Sequence, residues 1–107
     1  MKRKRKRADA RSGDPVERLS AKEGRVLGDL LRQTVRDQIA AKNPREVEAT
    51  YRRLLSEGHD QKNALELITA VLAAEMYDMM SEERELNAAK YAHDLRRLPE
   101  LPYESDA

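Results

Sequence analysis

The longest regularly spaced apolar pattern in the chain lies between Asn63 and Ser81. Its apolar residues recur at the i, i+3, i+4, i+7 spacing of a helix that buries one broad face. They are Ala64, Leu65, Ile68, Val71, Leu72, Met76 and Met79. The same segment is poor in charge, so we expect it to form a central helix over about residues 61–81.

Three other segments carry narrower apolar stripes at the same helical spacing. They predict helices over about residues 20–41, 44–57 and 88–98. Their apolar positions are Leu27, Leu31, Val35 and Ile39; Val47, Tyr51, Leu54 and Leu55; and Tyr91, Leu95 and Leu98. Val26 and Leu30 lie beside the first stripe. The fold class expected is all-α, a single small bundle of about four helices forming one domain over residues 14–98.

Capping residues mark the ends of these helices. Ser20 and Glu23 have the spacing of a capping box, although Asp14-Pro15 is an alternative helix start. For the second helix we expect Asn43 as the N-cap, Pro44 at the first position and Gly58 just after the end. Asp60 and Asn87 are the expected N-caps of the third and fourth helices.

Composition excludes several kinds of chemistry. The 107 residues include no Cys, Phe or Trp, so the core must be aliphatic. Disulfides, thiolate metal sites and cysteine nucleophiles are ruled out, and a reducing, cytoplasmic location is favoured. No apolar run approaches the roughly 20 residues that span a bilayer, so we expect no membrane partner.

A basic tail precedes a mildly acidic body. Residues 1–13 carry a net charge of +6 and the remainder −5, so the small total of +1 hides this asymmetry. A run of like charges with nothing to bury predicts disorder. The residues able to contact phosphate are Lys2, Arg3, Lys4, Arg5, Lys6 and Arg7. Binding to nucleic acid through them would be non-specific, and the alternative is a merely solvated terminus. Residues 99–107 are expected to form a loose C-terminal tail.

Glu75 places a carboxylate in the middle of the central apolar stripe. A buried carboxylate needs hydrogen-bond donors, or else its pKa rises. The candidate partners are Gln38, Thr34 and Tyr51, which would make a buried polar site with Glu75. Displaced pKa values cluster at functional sites, whereas the alternative is a structural contact or a solvated glutamate.

Other constellations point away from catalysis. His59 and His93 are the two histidines, and their separation matches no metal motif, so we expect no metal and no cofactor. Phosphate-binding glycine loops and nucleophile elbows are absent from the sequence. A helix-turn-helix around Gly58 is disfavoured because the helix that follows is the most apolar one.

Several short sequence motifs resemble those of a family of small bacterial helical proteins catalogued as domain of unknown function 1841. The similarity spans about residues 38–98 and is carried by Asp37–Ala40, Asn43–Val47, Tyr51–Leu54, Glu57–His59, Ala64–Leu65, Ala70–Ala73 and Glu75–Asp78. The resemblance implies an all-helical bacterial protein with no assigned activity. The resemblance also implies histidines around the first and third helices, where this chain has residues such as Arg32, Glu66 and Glu75, so a metal bound by such histidines would not be expected here.

The sequence as a whole favours a non-enzymatic binding or accessory protein. The alternatives are a nucleic-acid-associated protein that uses its basic tail, an enzyme or ligand site around Glu75, and a ubiquitin-associated-like interaction module. The central helix is about twice too long for the last of these. Met80, which lies off the stripe, suggests a contact with an unknown protein partner or a homodimer.

If the tail binds nucleic acid, its affinity should fall by orders of magnitude between roughly 50 and 200 mM salt, because counterions are released from each neutralised phosphate. Fluorescence anisotropy with unrelated DNA duplexes measures this and should show no dependence on base sequence. Unchanged affinity after deletion of Lys2–Arg7 would rule out the tail as the binding element.

Overall fold

A computed structural model describes residues 20–104 of the protein, and these residues form four α-helices. Helix α1 covers Ala21–Ala41, α2 Arg45–Ser56, α3 Gln61–Glu82 and α4 Ala88–Arg97. Residues 20–104 contain no strand. The predicted all-α bundle is confirmed, and every helix boundary lies within one residue of its predicted position. The basic tail and the alternative start at Asp14-Pro15 lie outside the described residues.

The core lies where α1, α2 and α4 pack against α3. It is almost entirely aliphatic, as the composition requires. Its members are Leu31, Val35, Val47, Leu54, Ala64, Ile68, Val71, Leu72, Tyr91, Leu95 and Leu98. Val26 and Leu30, beside the first predicted stripe, are exposed. The buried face of α1 is therefore narrower than the apolar pattern suggests.

Three of the four helices begin at the predicted caps. The Ser20 hydroxyl accepts a hydrogen bond from the Glu23 backbone N–H, and the Glu23 carboxylate accepts one from the Ser20 N–H, which completes a capping box. Asp60 caps α3 and Asn87 caps α4 in the same way, through their side-chain oxygens. These side chains satisfy backbone donors that the first turn of a helix leaves free.

The start of α2 differs from the prediction. Pro44 is the N-cap and makes no side-chain capping bond, so the prediction that Asn43 is the N-cap is wrong. The reason is that Asn43 belongs to the end of α1. Its backbone N–H donates to the Gln38 carbonyl, after Lys42 has turned into the left-handed region with φ of 54°.

Gly58 ends α2 as predicted. Its φ of +102° is one that side chains with a Cβ rarely adopt, and this turn lets His59 N–H donate to the Leu54 carbonyl. After α4 the structure describes the chain as far as residue 104, so the end of the expected C-terminal tail, residues 105–107, lies outside it. Leu101 packs against the core and Pro102–Glu104 form a 3₁₀ turn that contacts α3. No helix within residues 20–104 has the length and apolar character needed to cross a bilayer.

Leu72→Ala should lower the free energy of unfolding by about 2–5 kcal/mol, because it opens a cavity at a central position of α3. The Leu72 side chain is 5% exposed, whereas Leu30 is 61% exposed. Leu30→Ala is therefore the matched control and should cost less than about 0.5 kcal/mol. Chemical denaturation followed by circular dichroism measures both. Equal losses would contradict the assignment of α3 as the centre of the core.

Candidate functional site

Glu75 is buried at the C-terminal half of α3, with only 1% of the residue exposed. The apolar residues three and four positions before it, Val71 and Leu72, are also buried, so the helical spacing that buries them carries Glu75 inward as well. The carboxylate therefore sits inside the bundle and must be neutralised there.

Donors from the α3–α4 loop and the first turn of α4 surround this carboxylate. Arg84 Nη1 donates to Glu75 Oε2 at 2.7 Å, and Arg84 Nη2 lies 3.4 Å from Oε1. The backbone N–H of Asn87 donates to Oε2 at 2.9 Å. Lys90 Nζ lies 3.6 Å from Oε1. Both carboxylate oxygens thus have a cationic partner, and one also has a backbone donor.

The cations are themselves held by further acceptors. Arg84 Nε donates to Glu82 at 2.6 Å, and its Nη1 also donates to the Glu85 carbonyl. Lys90 bridges Asp78 at 3.3 Å and Asp94 at 3.1 Å. This network fixes the position of the Arg84 guanidinium and ties α4 to α3.

The pKa of Glu75 lies below its ordinary value. Burial acts to raise it, but the hydrogen bonds from Arg84 and the Asn87 N–H, with the positive charge of Lys90, together lower it. The sequence predicts a raised pKa unless Gln38, Thr34 or Tyr51 donates to the carboxylate. None of them does, and the pKa is nevertheless lowered because Arg84 and the Asn87 N–H supply the hydrogen bonds, so the predicted rise is wrong. The carboxylate is therefore held as a buried ion by groups of the loop and of α4.

The three partners expected from the sequence do not hydrogen-bond to Glu75. Gln38 instead accepts a hydrogen bond from the Tyr91 hydroxyl at 3.0 Å. Burial raises the pKa of Tyr91 to about 12, although the Gln38 contact acts in the opposite direction. The Thr34 hydroxyl donates to the Leu30 carbonyl within α1, and Tyr51 is half-buried elsewhere. The predicted grouping of these residues around Glu75 is therefore wrong.

Sequence reasoning missed Arg84, Lys90 and the Asn87 N–H. The available signal was Arg84 itself, the one basic residue in the polar stretch 81–85 at the end of the central helix. Periodicity alone could not reveal it, because a loop conformation decides whether Arg84 folds back onto α3.

A second feature is an open groove between α1, α2 and the N-terminal half of α3, with a volume of about 900 Å³. We call it the α1–α3 groove. Its lining residues are Asp29, Arg32, Arg36, Ile39, Ala40, Tyr51, Gln61, Lys62, Leu65 and Glu66. The groove therefore combines an apolar wall with several charged groups.

The charges in the groove are not equally compensated. Arg32 donates to Glu66 at 2.6 Å and to Asp29 at 2.9 Å, and its hydrogen bond to the Glu66 carboxylate raises the pKa of Arg32. Arg36 and Lys62 make no ion pair within residues 20–104. Both are exposed at the groove and are available to a bound anion.

The remaining candidates are dispersed. His59 is half-buried in the α2–α3 turn and His93 is exposed on α4. The part of the chain that the structure describes contains no cluster of three or more residues able to hold a metal ion. Met80 is 52% exposed and borders a smaller apolar groove between α1 and α3. The phosphate-contact residues Lys2–Arg7 lie outside the described residues.

No family model matches the chain, and no curated protein and no solved structure shows significant similarity to it. The resemblance to domain of unknown function 1841 therefore stays a prediction. The candidate site rests on the geometry of this chain alone.

Glu75→Gln should destabilise the protein at neutral pH by about 1–3 kcal/mol, because it removes the charge that Arg84 and Lys90 neutralise. Glu75→Leu should cost more, since it also leaves the Asn87 N–H without an acceptor. Glu82→Gln is the control, because Glu82 binds the same arginine from an exposed position and should cost less than about 1 kcal/mol. Urea denaturation at neutral pH compares the three. A neutral or stabilising Glu75→Gln would contradict the role assigned to the carboxylate.

Proposed function

We propose that the protein is a non-enzymatic binding or accessory protein whose binding surface is the α1–α3 groove. The observation that carries the proposal is the groove itself, an open concavity of about 900 Å³ with an apolar wall and two uncompensated cations. Ligand sites of small proteins commonly combine apolar walls with a few polar groups in a cavity of about 300–1,000 Å³.

The state of Glu75 supports binding over catalysis. It was the strongest sequence candidate for an acid–base residue, and its oxygens are engaged by Arg84, Asn87 and Lys90. Its charge ties α4 to α3. In this proposal Glu75 stabilises the scaffold and the groove does the binding.

Other parts of the proposal rest on the sequence. The absence of cysteine favours the cytoplasm, and the family resemblance favours a bacterial origin. Non-specific nucleic-acid binding through Lys2–Arg7 is an alternative with its own salt test. Self-association through the exposed Met80 side is a further alternative.

The test compares two bulky substitutions at adjacent positions of α1. Ala40 lines the groove and Ala41 does not, and both are exposed near the C-terminal end of the helix. Ala40→Trp narrows the groove, whereas Ala41→Trp adds the same bulk outside it. The small-molecule and macromolecular fractions of a bacterial lysate are each added to wild type and to both variants.

One of the two fractions should raise the midpoint temperature of unfolding of wild type and of Ala41→Trp. The same fraction should leave the midpoint of Ala40→Trp unchanged. A ligand present at about 100 times its Kd adds roughly 2.7 kcal/mol of stability, which thermal unfolding detects readily. Equal stabilisation of both variants would place binding outside the groove. No stabilisation by either fraction would contradict the proposal.

A further inference from the structure

We infer that the α1–α3 groove takes a small amphipathic monoanion, an aromatic or aliphatic body that carries one carboxylate or sulfonate. This inference rests on the proposed binding function and adds the chemical class of the ligand. It follows from the balance of charge in the groove, from its apolar wall, and from an unused hydroxyl.

The charge balance favours a single negative charge. Three cationic residues and two carboxylates line the groove, so one positive charge is left over. Arg32 pairs with both carboxylates, Asp29 and Glu66, and one cation against two carboxylates leaves this cluster with a net charge of −1, whereas Arg36 and Lys62 together carry +2. The excess resides on Arg36 and Lys62. A cation would meet these groups unfavourably, and a polyanion would also be repelled by Asp29 and Glu66.

The wall of the groove suits an apolar body. Ile39 of α1, Tyr51 of α2 and Leu65 of α3 all line it, and each is partly buried and packed against the core. Their side chains are therefore held in place by the fold. Burying apolar ligand surface on them is favourable at about 25 cal/mol per Å². The ring of Tyr51 can also pack against an aromatic ligand.

A polar contact is available beside this wall. The Tyr51 hydroxyl makes no hydrogen bond to any residue between 20 and 104, in contrast to Tyr91, whose hydroxyl binds Gln38. It can donate to an acceptor on the ligand. Arg36 and Lys62 add charge-assisted donors, which bind anionic oxygen atoms more strongly than neutral donors do.

Two dyes of nearly the same shape test the inference on the full chain. Anilinonaphthalene sulfonate carries one negative charge, and N-phenylnaphthylamine is its neutral counterpart. Fluorescence titration gives their affinities, and nitrogen–proton correlation spectra locate them. We expect the anionic dye to bind at least about fivefold more tightly at low salt, as exposed charge pairs permit. Its chemical-shift changes should centre on Ile39, Ala40 and Leu65.

Charge variants separate a site from general electrostatics. Arg36→Gln with Lys62→Gln should weaken the anionic dye at least about fivefold and the neutral dye less than twofold. Lys22→Gln with Arg96→Gln removes the same charge from exposed positions outside the groove and should leave both dyes unchanged. Ala40→Glu should weaken the anionic dye selectively, whereas Ala41→Glu should not. Circular dichroism verifies that each variant is folded.

The outcomes distinguish this inference from the proposed function. Equal affinity for both dyes, with shifts in the groove, would overturn the preference for an anion and leave the binding function standing. An equal loss of affinity for the anionic dye in the groove double variant and in the control double variant would also overturn the preference for an anion. Shifts centred on Met76 and Met80, or no binding, would overturn the groove as the site.

Discussion

A buried carboxylate that must stay ionised is the constraint on which the bundle depends. Glu75 is fixed inside the apolar face of α3, so its charge can persist only where cations and N–H groups surround it. Arg84 and Asn87 provide them from the loop that follows α3, which gives that loop one favoured conformation. The requirement of a single side chain thereby determines the path of the backbone.

The position of α4 follows from that path. Asn87 donates its backbone N–H to Glu75, and its side chain caps α4, so one residue joins the buried charge to the helix start. Tyr91 then connects α4 to α1 through Gln38. Arg53 of α2 donates to the Leu95 carbonyl near the C-terminal end of α4. Each of the other helices therefore makes a polar contact with α4.

The Glu75 network that holds α4 and the α1–α3 groove lie in different halves of α3. Glu66 lines the groove and Glu75 lies nine residues further on, about 14 Å along the helix axis at 1.5 Å per residue. The C-terminal half secures α4, and the N-terminal half forms the groove with α1 and α2. This separation explains how a small bundle can stabilise itself with one charged cluster and leave Arg36 and Lys62 available.

Local signals predicted the helices well. Apolar periodicity and the caps at Ser20, Asp60 and Asn87 depend on residues close in sequence, which is why the boundaries agree within one residue. The prediction that Asn43 caps α2 was wrong because Asn43 could either close α1 or begin α2. Both roles are compatible with the same sequence pattern, and the structure shows the first.

The surroundings of Glu75 were predictable only in part. Periodicity indicated that the carboxylate points inward, and it predicted hydrogen-bond partners on the facing helices. The actual donors come from a loop, and no repeating pattern reveals how a loop folds. The groove was not predicted either, because Arg36, Lys62 and Leu65 come together only when α1 and α3 pack. Concave surfaces are properties of packing, whereas helices are properties of local sequence.

The pKa of Glu75 tests the central claim most directly. It can be measured by following the side-chain carboxyl carbon in NMR spectra as the pH is lowered. A folded-state pKa below the unfolded value means that the charge adds stability above about pH 4.5, and that this stability is lost as the pH falls through the folded pKa. We expect a pKa below 4.5, with Arg84→Gln moving it upward. A value at or above 4.5 in the wild-type protein would contradict the account, because the loop donors would then not be holding an ion.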